Sequence, residues 1–222
     1  MSMNIQALLF DMDGTLVNSS SSIEQTWIKW AALHDIEPSH ILKNIHGLSV
    51  NEVIQSVAPH LNVQNEYELL LEIEQNSDHS YAEIPGAKLF LEKLIPSKWG
   101  VVTMARKNHA LKIFEALSLP IPEIFITADE VTHSKPHPEP YQTAAKNMNL
   151  FPEDILVFED SIAGMTSAFH ARMNVAQITF LSHVPNNQDA TYHFKDWHEV
   201  NSSEIFKPFY NYTCSVTSKV FD

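Results

Sequence analysis

Five short apolar runs decide what this chain can fold into. ALLF (7–10), WGVVT (99–103), IFIT (124–127), ILVFED (155–160) and VAQITF (175–180) are too brief for helices, often β-branched and not alternating. Runs of this kind suit strands buried on both faces, as in a parallel sheet. Helical patterns lie between them: PGAKLFLEKLI (85–95), with Leu89, Leu91, Leu94 and Ile95 as its apolar stripe, then NHALKIFEALSL (108–119), EPYQTAAKNMNL (139–150) and IAGMTSAFHARM (162–173). Strands alternating with helices imply an α/β fold on a doubly wound parallel sheet.

Residues 20–84 read differently. They hold no strand-like run, and two capping-box signatures stand out, Ser21 with Glu24 and Ser49 with Glu52. Amphipathic helices over 23–34, 49–57 and 66–75 account for the segment. The expectation is an all-helical cap, residues 18–84, inserted after the first strand of an α/β core made of 1–17 and 85–222. The C-terminal stretch NYTCSVTSKVF alternates as an edge strand or a frayed tail would, and 200–222 receives no role.

Composition narrows the function classes. With 14 basic and 27 acidic residues the formal net charge is −13, which argues against nucleic acid as a partner. A small phosphate ester remains compatible, because surface charge is screened over about 8–10 Å and a local cation dominates a site. Cys214 is the single cysteine, so no intrachain disulfide can form. The start MSMNIQALLFDMD lacks a basic leader, and no apolar stretch approaches the roughly 20 residues of a membrane helix. A cytoplasmic protein with no membrane association is expected.

The first strand ends in FDMDGTLVNS, which places Asp11 and Asp13 at the end of a buried run. Buried charge is costly unless it meets a metal or a partner. In doubly wound sheets ligands gather at the carboxyl ends of the strands. There the chain delivers Asp11, Asp13 and Gly14, Thr103 after WGVV, Glu159 and Asp160 after ILVF, and Lys135 in the loop that passes Asp129 and Glu130. Carboxylate oxygens with waters and a substrate phosphate suit Mg²⁺. Lys135 and Thr103 suit phosphoryl oxygens, and Gly14 permits a tight turn whose amides face an anion. His133 and His137 are four apart, but Pro136 separates them in what reads as loop, so they are not taken as a metal site.

These motifs, FDMDGTLVNS, VVT, HSKPHPEPY and VFEDSIAG, resemble those of the haloacid dehalogenase superfamily, in the subgroup with a helical cap, over roughly residues 5–185. IHGLS (45–49), SKWGVVT (97–103), FITADEV (125–131) and KPHPEPY (135–141) are most similar to glycerol-phosphate, 2-deoxyglucose-6-phosphate and related sugar phosphatases. The resemblance implies a Rossmann-like core, a mobile cap and Mg²⁺ dependence. It implies Asp11 as nucleophile and Asp13 as general acid and base, with Thr103, Met104 and Lys135 at the phosphoryl group. Asp160, Asp11 and the carbonyl of Asp13 would hold Mg²⁺, with Glu159 either as a ligand or behind one, and His46 and Gly47 would face the substrate from the cap. Met104-Ala105-Arg106 departs from the small residue usual after the threonine, and Asn18 stands where Asp is frequent.

The resulting expectation is a phosphatase that hydrolyses a small sugar or polyol phosphate monoester through an aspartyl-phosphate, as a monomer. The alternatives are a sugar phosphomutase of the β-phosphoglucomutase kind, disfavoured because Gly47 to Asn51 contains no arginine, and a non-catalytic protein that binds a phosphorylated metabolite.

Overall fold

A computed structural model describes residues 4–42, 45, 50–77, 81–181, 184, 186–188 and 190–211. The strands are β1 (Ala7–Phe10), β2 (Val17–Asn18), β3 (Ala82–Glu83), β4 (Trp99–Val102), β5 (Ile124–Ile126), β6 (Ile155–Glu159), β7 (Asn174–Ile178) and β8 (Tyr192–Phe194). The helices are α1 (Ser20–Leu33), α2 (Ser39–Leu42), α3 (Val50–Val57), α4 (Val63–Gln75), α5 (Ala87–Leu91), α6 (Lys107–Ala116), α7 (Glu139–Met148), α8 (Ile162–His170) and α9 (Trp197–Ser202).

Six strands pair in the order β5-β4-β1-β6-β7-β8, and every pairing in this sheet is parallel. β1 is central, with Leu9 opposite Gly100 on one side and Val157 on the other. Its four residues are all buried, which is why ALLF shows no alternation. The pleat instead divides them between two cores. Leu8 and Phe10 face Phe90, Phe114, Phe158 and Trp197, beneath α5, α6 and α9. Ala7 and Leu9 face Tyr141, Ala144, Met165 and Ala168 of α7 and α8. This is a Rossmann-like doubly wound sheet, each face covered by helices.

The helices α1 to α4 enclose a core of their own, with Trp27, Trp30, Ile41, Val53, Ile54 and Leu70 buried in it. Trp30 Nε1 donates to Glu66 at 2.9 Å, tying α1 to α4. At the root of this unit β2 and β3 form a two-stranded antiparallel ribbon. Among the described residues no helix is long and apolar enough to cross a membrane.

The five expected strands are all present, and several local expectations need correction. α1 begins at Ser20 behind Ser19, whose side chain does not cap it, while Asn18 Oδ1 accepts from Ser20 N at 3.3 Å, so the Ser21–Glu24 signature does not mark the helix start. Ser49, of the other signature, lies outside the described residues, as do His46, Gly47 and residues 212–222. α5 stops at Leu91, and its buried face is Ala87, Phe90 and Leu91, while Leu89 is 50% exposed. Leu91 and Leu94 are buried as expected, and Phe90 takes the place expected for Leu89. The ribbon β2–β3, the edge strand β8 and α9 were not foreseen.

Candidate active site

The ladder that pairs β1 with β6 extends one residue past the strand. Asp11 N donates to the Phe158 carbonyl at 3.0 Å, which fixes Asp11 at the sheet's carboxyl end. The chain then turns back: Leu16 N and Val17 N both donate to the Met12 carbonyl at 2.9 Å, and Gly14 N donates to Val17 at 2.8 Å. Gly14 has φ +82°, and a Cβ there would lie 2.1 Å from Asp160 Oδ2. Only glycine lets the turn lie against that carboxylate. Thr15 Oγ1 donates to Asp160 Oδ1 at 3.3 Å from the same turn.

Lys135, a surface lysine by any composition rule, is drawn inside. Its side chain is 7% exposed and Nζ donates to Asp11 Oδ1 at 2.6 Å, Glu159 Oε1 at 2.7 Å and the Val102 carbonyl at 3.0 Å. Glu159, at the end of β6, is wholly buried and saturated. Oε1 also accepts from Tyr141 at 2.9 Å, and Oε2 accepts from Asp160 N, Ser161 N and Ser161 Oγ at 3.1–3.2 Å. Ser161 in turn caps α8 by accepting from Gly164 N at 3.0 Å. A Cβ at Gly164 would lie 1.7 Å from Glu159 Oε1, so the first turn of α8 can approach the carboxylate only as glycine. Tyr141 belongs to this network and was not singled out from the sequence. Its signal was a lone hydroxyl on the otherwise apolar face that α7 presents to the sheet.

Crowding sets the electrostatics. Burial, then the Glu159 charge, raises the Asp11 carboxyl to about 8, against the opposing pull of Lys135. Burial raises Asp13 to about 6, although a hydrogen bond with Ser19 works the other way. Asp160 is raised well above its ordinary value by burial and by the charges of Glu159 and Asp11. Burial alone would lower Lys135; the Asp11 and Glu159 carboxylates more than reverse this, and the ammonium is held charged. Asp11, Glu159 and Asp160 each place one carboxylate oxygen within 4.8 Å of the others. Hard oxygen donors with an excess of negative charge fit a divalent cation such as Mg²⁺.

These groups open onto a cleft of about 390 Å³. Asp11, Asp13, Thr103, Met104, Lys135 and Ser161 line its floor, and Ile23, Trp27, Val53 and Leu70 line the helical side. Thr103 is buried, and its Oγ1 accepts from Ala105 N at 3.1 Å, which leaves the hydroxyl proton for another acceptor. The sequence-predicted Asp11, Asp13, Thr103, Met104 and Lys135 thus meet in one place, with Glu159 and Asp160 beside them. Asp129 does not join them: it accepts from Lys107 N at 2.9 Å, on the flank of α6. His133 and His137, expected only as loop residues, stack with ring centres 4.4 Å apart. Glu139 accepts there from Thr132 N, His133 N and His133 Nδ1, closing the loop that carries Lys135.

The chain matches the model of the haloacid dehalogenase-like hydrolase family over residues 8–178. It is similar to hexitol phosphatase A of Escherichia coli, 32% identical over 203 residues, covering 86% of this chain and 92% of that one. It is also 34% identical over 193 residues to glycerol-1-phosphate phosphohydrolase 1 of Saccharomyces cerevisiae, covering 80% and 76% respectively. Among solved structures, a putative phosphoglycolate phosphatase from Lactobacillus plantarum superposes with a TM-score of 0.78 over 90% of this chain and 99% of that one. At 22% identity that likeness concerns the fold.

Proposed function

The chain belongs to the haloacid dehalogenase-like hydrolases, and we propose that it is a Mg²⁺-dependent phosphatase acting on a small sugar or polyol phosphate monoester. The observation that carries this reading is the convergence of Asp11, Asp13, Thr103 and Lys135 on one cleft at the carboxyl ends of the strands. Its relatives named for hexitol and glycerol phosphates support the substrate class.

Asp11 is assigned as the nucleophile. A carboxylate oxygen attacks phosphorus opposite the ester oxygen, the phosphorus–ester bond breaks, and an aspartyl-phosphate forms. Asp13 enters as the carboxylic acid and gives its proton to the departing alkoxide. As carboxylate it then accepts a proton from the water that attacks the aspartyl-phosphate, releasing orthophosphate and restoring Asp11. Thr103 Oγ1, the Met104 amide and Lys135 Nζ bind the phosphoryl oxygens. Asp11, Asp160 and the Asp13 carbonyl would hold Mg²⁺, which supplies charge neutralisation at the phosphoryl group. Glu159, its oxygens taken by donors, sits behind them and aims Lys135. The helical unit, residues 18–84, covers the core of 1–17 and 85–222 as a cap that shuts out bulk water. The single cysteine and a small metabolite substrate fit a monomer working in the cytoplasm.

The test is orthophosphate release from a panel of hexitol, glycerol and sugar phosphates, with Mg²⁺ and with chelator. Metal-dependent release from polyol or sugar esters is expected. Silence across the panel together with conversion of β-glucose 1-phosphate to glucose 6-phosphate would replace the phosphatase by a mutase.

A further inference from the structure

The helical side of the cleft is largely apolar, lined by Ile23, Trp27, Val50, Val53, Leu70 and Leu71. Besides the Tyr67 hydroxyl of α4, two polar groups interrupt that surface. Thr26, on α1, is 6% exposed, and its Oγ1 is buried with no hydrogen-bond partner among the described residues. A buried hydroxyl left without a partner costs free energy, so such a group marks a place where a partner arrives. The other is Glu74, in the last turn of α4.

Glu74 is held in place from the core. Its Oε1 lies 3.5 Å from His109 Nε2 of α6, and Tyr81 OH stands 3.3 Å from the same nitrogen and 3.3 Å from Ser22 Oγ. The hydrogen bond with Glu74 raises the His109 imidazole, against the effect of burial. The charge of Glu74 also reaches Asp13, where it works to raise that carboxyl. Glu74 therefore lines the same cleft as Asp13, anchored from behind by the His109 imidazole. The acids lining the cleft are Asp11, Asp13 and Glu74, and among the described lining residues Lys135 is the cation. That lysine is already engaged by Asp11 and Glu159.

We infer that Glu74 and Thr26 select the part of the substrate that leaves, accepting and donating hydrogen bonds to the hydroxyls of a neutral polyol or sugar chain and rejecting a second anionic group. This rests on the phosphatase reading and narrows it. A hydroxyl donates to the Glu74 carboxylate as a charge-assisted bond and gives Thr26 Oγ1 its missing partner. A carboxylate or second phosphate would face Glu74 in a cleft whose lining cation, Lys135, is already engaged, while His109 behind Glu74 does not line it, a repulsive element of the kind that sets specificity. Esters such as phosphoglycolate and sugar bisphosphates, and a mutase intermediate with two phosphates, fall outside the class.

The test compares wild type with Glu74→Gln and Thr26→Val, both close in shape to the native side chains, on hexitol 6-phosphate, phosphoglycolate, fructose 1,6-bisphosphate and p-nitrophenyl phosphate with Mg²⁺. The last ester has no hydroxyls and reports on the phosphoryl machinery by itself. In each variant the ratio of kcat/KM for hexitol phosphate to that for p-nitrophenyl phosphate is expected to fall about tenfold or more, mainly through KM. Glu74→Lys is expected to narrow the wild-type preference for hexitol phosphate over phosphoglycolate at least tenfold. Ratios that stay within about twofold in both conservative variants, or a wild type that prefers phosphoglycolate or the bisphosphate, would overturn the inference while leaving the phosphatase standing. No phosphate release from any ester, p-nitrophenyl phosphate included, would remove the phosphatase reading and this inference with it.

Discussion

Lys135 and Glu159 are joined at 2.7 Å in the interior, the lysine side chain 7% exposed and the glutamate not at all. The pair extends to Asp11, so one ammonium is shared by two buried carboxylates. Arrangements of this kind add little stability over apolar residues of the same size, but breaking one side leaves charge stranded. Here the geometry has a use: Glu159, fixed by Tyr141 and by the amides that open α8, points the lysine at the end of β1.

Lys135→Met tests that account. The variant keeps the stem of the side chain and removes the charge, leaving Asp11 and Glu159 buried without their cation. A loss of about 3–5 kcal/mol is expected at pH 8, seen as a fall in Tm on the order of 10 °C for a chain of this size. Toward pH 6 the loss should shrink, because the Asp11 carboxyl, raised to about 8, takes up a proton. Orthophosphate release should drop by about a thousandfold or more. A variant as active as wild type would refute the assignment of Lys135 to the phosphoryl group.

Asp11 carries a stability signature of its own. Its folded value, about 8, stands above the ordinary 3.8, so the metal-free folded protein holds this proton more tightly than the unfolded chain does. The associated stability is complete below about 3.8 and is lost as pH rises through about 8. Asp11→Asn mimics the protonated acid at every pH. The metal-free variant should therefore melt above metal-free wild type at pH 8, with the difference closing toward pH 5. Mg²⁺ should raise the wild-type Tm more at pH 8 than at pH 5 and do much less for the variant, which should also show no turnover. Parallel melting curves for the two proteins across this range would contradict the electrostatics of the site.

Much of this site was legible in the sequence because its parts sit where short buried strands end. FDMDGT announces itself: two acids and a glycine after ALLF have no cheap structural explanation. Burial of Lys135 was not legible, since no local pattern distinguishes a lysine drawn 124 residues back to Asp11 from one on the surface. The pleat-level sorting of Leu8 and Leu9 into opposite cores was implied by the unbroken apolar run. α9 escaped because six residues with a single Trp make no periodic stripe. Its signal lay in the cap, where Asp196 accepts from His198 N and Glu199 N at 3.0 and 3.2 Å, with Glu199 three residues on. The paired histidines of the Lys135 loop show the opposite failure. Proline spacing ruled out a helix correctly, yet a loop brings side chains together as well as a helix does.

Asp13 makes a prediction about rate. Raised to about 6 by burial, it is the group that protonates the leaving alkoxide in the proposed mechanism. A general acid must be protonated before the step, so kcat/KM for a polyol phosphate should fall as pH rises, with a midpoint near 6. p-Nitrophenolate leaves without a proton, and the profile for p-nitrophenyl phosphate should lack this limb. Equal alkaline limbs for the two esters would assign the titration to another group.

Trp197 links the unforeseen helix α9 to the chemistry. Its indole is fully buried, 4.9 Å from the Phe158 ring and 5.0 Å from Phe90, and Nε1 donates to the Thr15 carbonyl at 2.7 Å. Thr15 belongs to the turn after Asp11 and Asp13, and its hydroxyl reaches Asp160 at 3.3 Å. The indole therefore serves as packing and as the support that holds the turn from below. Two substitutions separate these roles. Trp197→Phe retains an aromatic ring but leaves the Thr15 carbonyl without its donor, which should cost about 1–3 kcal/mol. It should lower kcat severalfold as the turn loosens, with KM little changed. Trp197→Ala also opens a cavity among Phe10, Phe90 and Phe158, and a loss of about 3–5 kcal/mol is expected. Urea unfolding gives both stabilities, and phosphate release from one good substrate gives the rates. If Trp197→Phe lost stability but kept full kcat, the indole would be a core residue only, and the turn would be held by its own hydrogen bonds to Met12 and Val17.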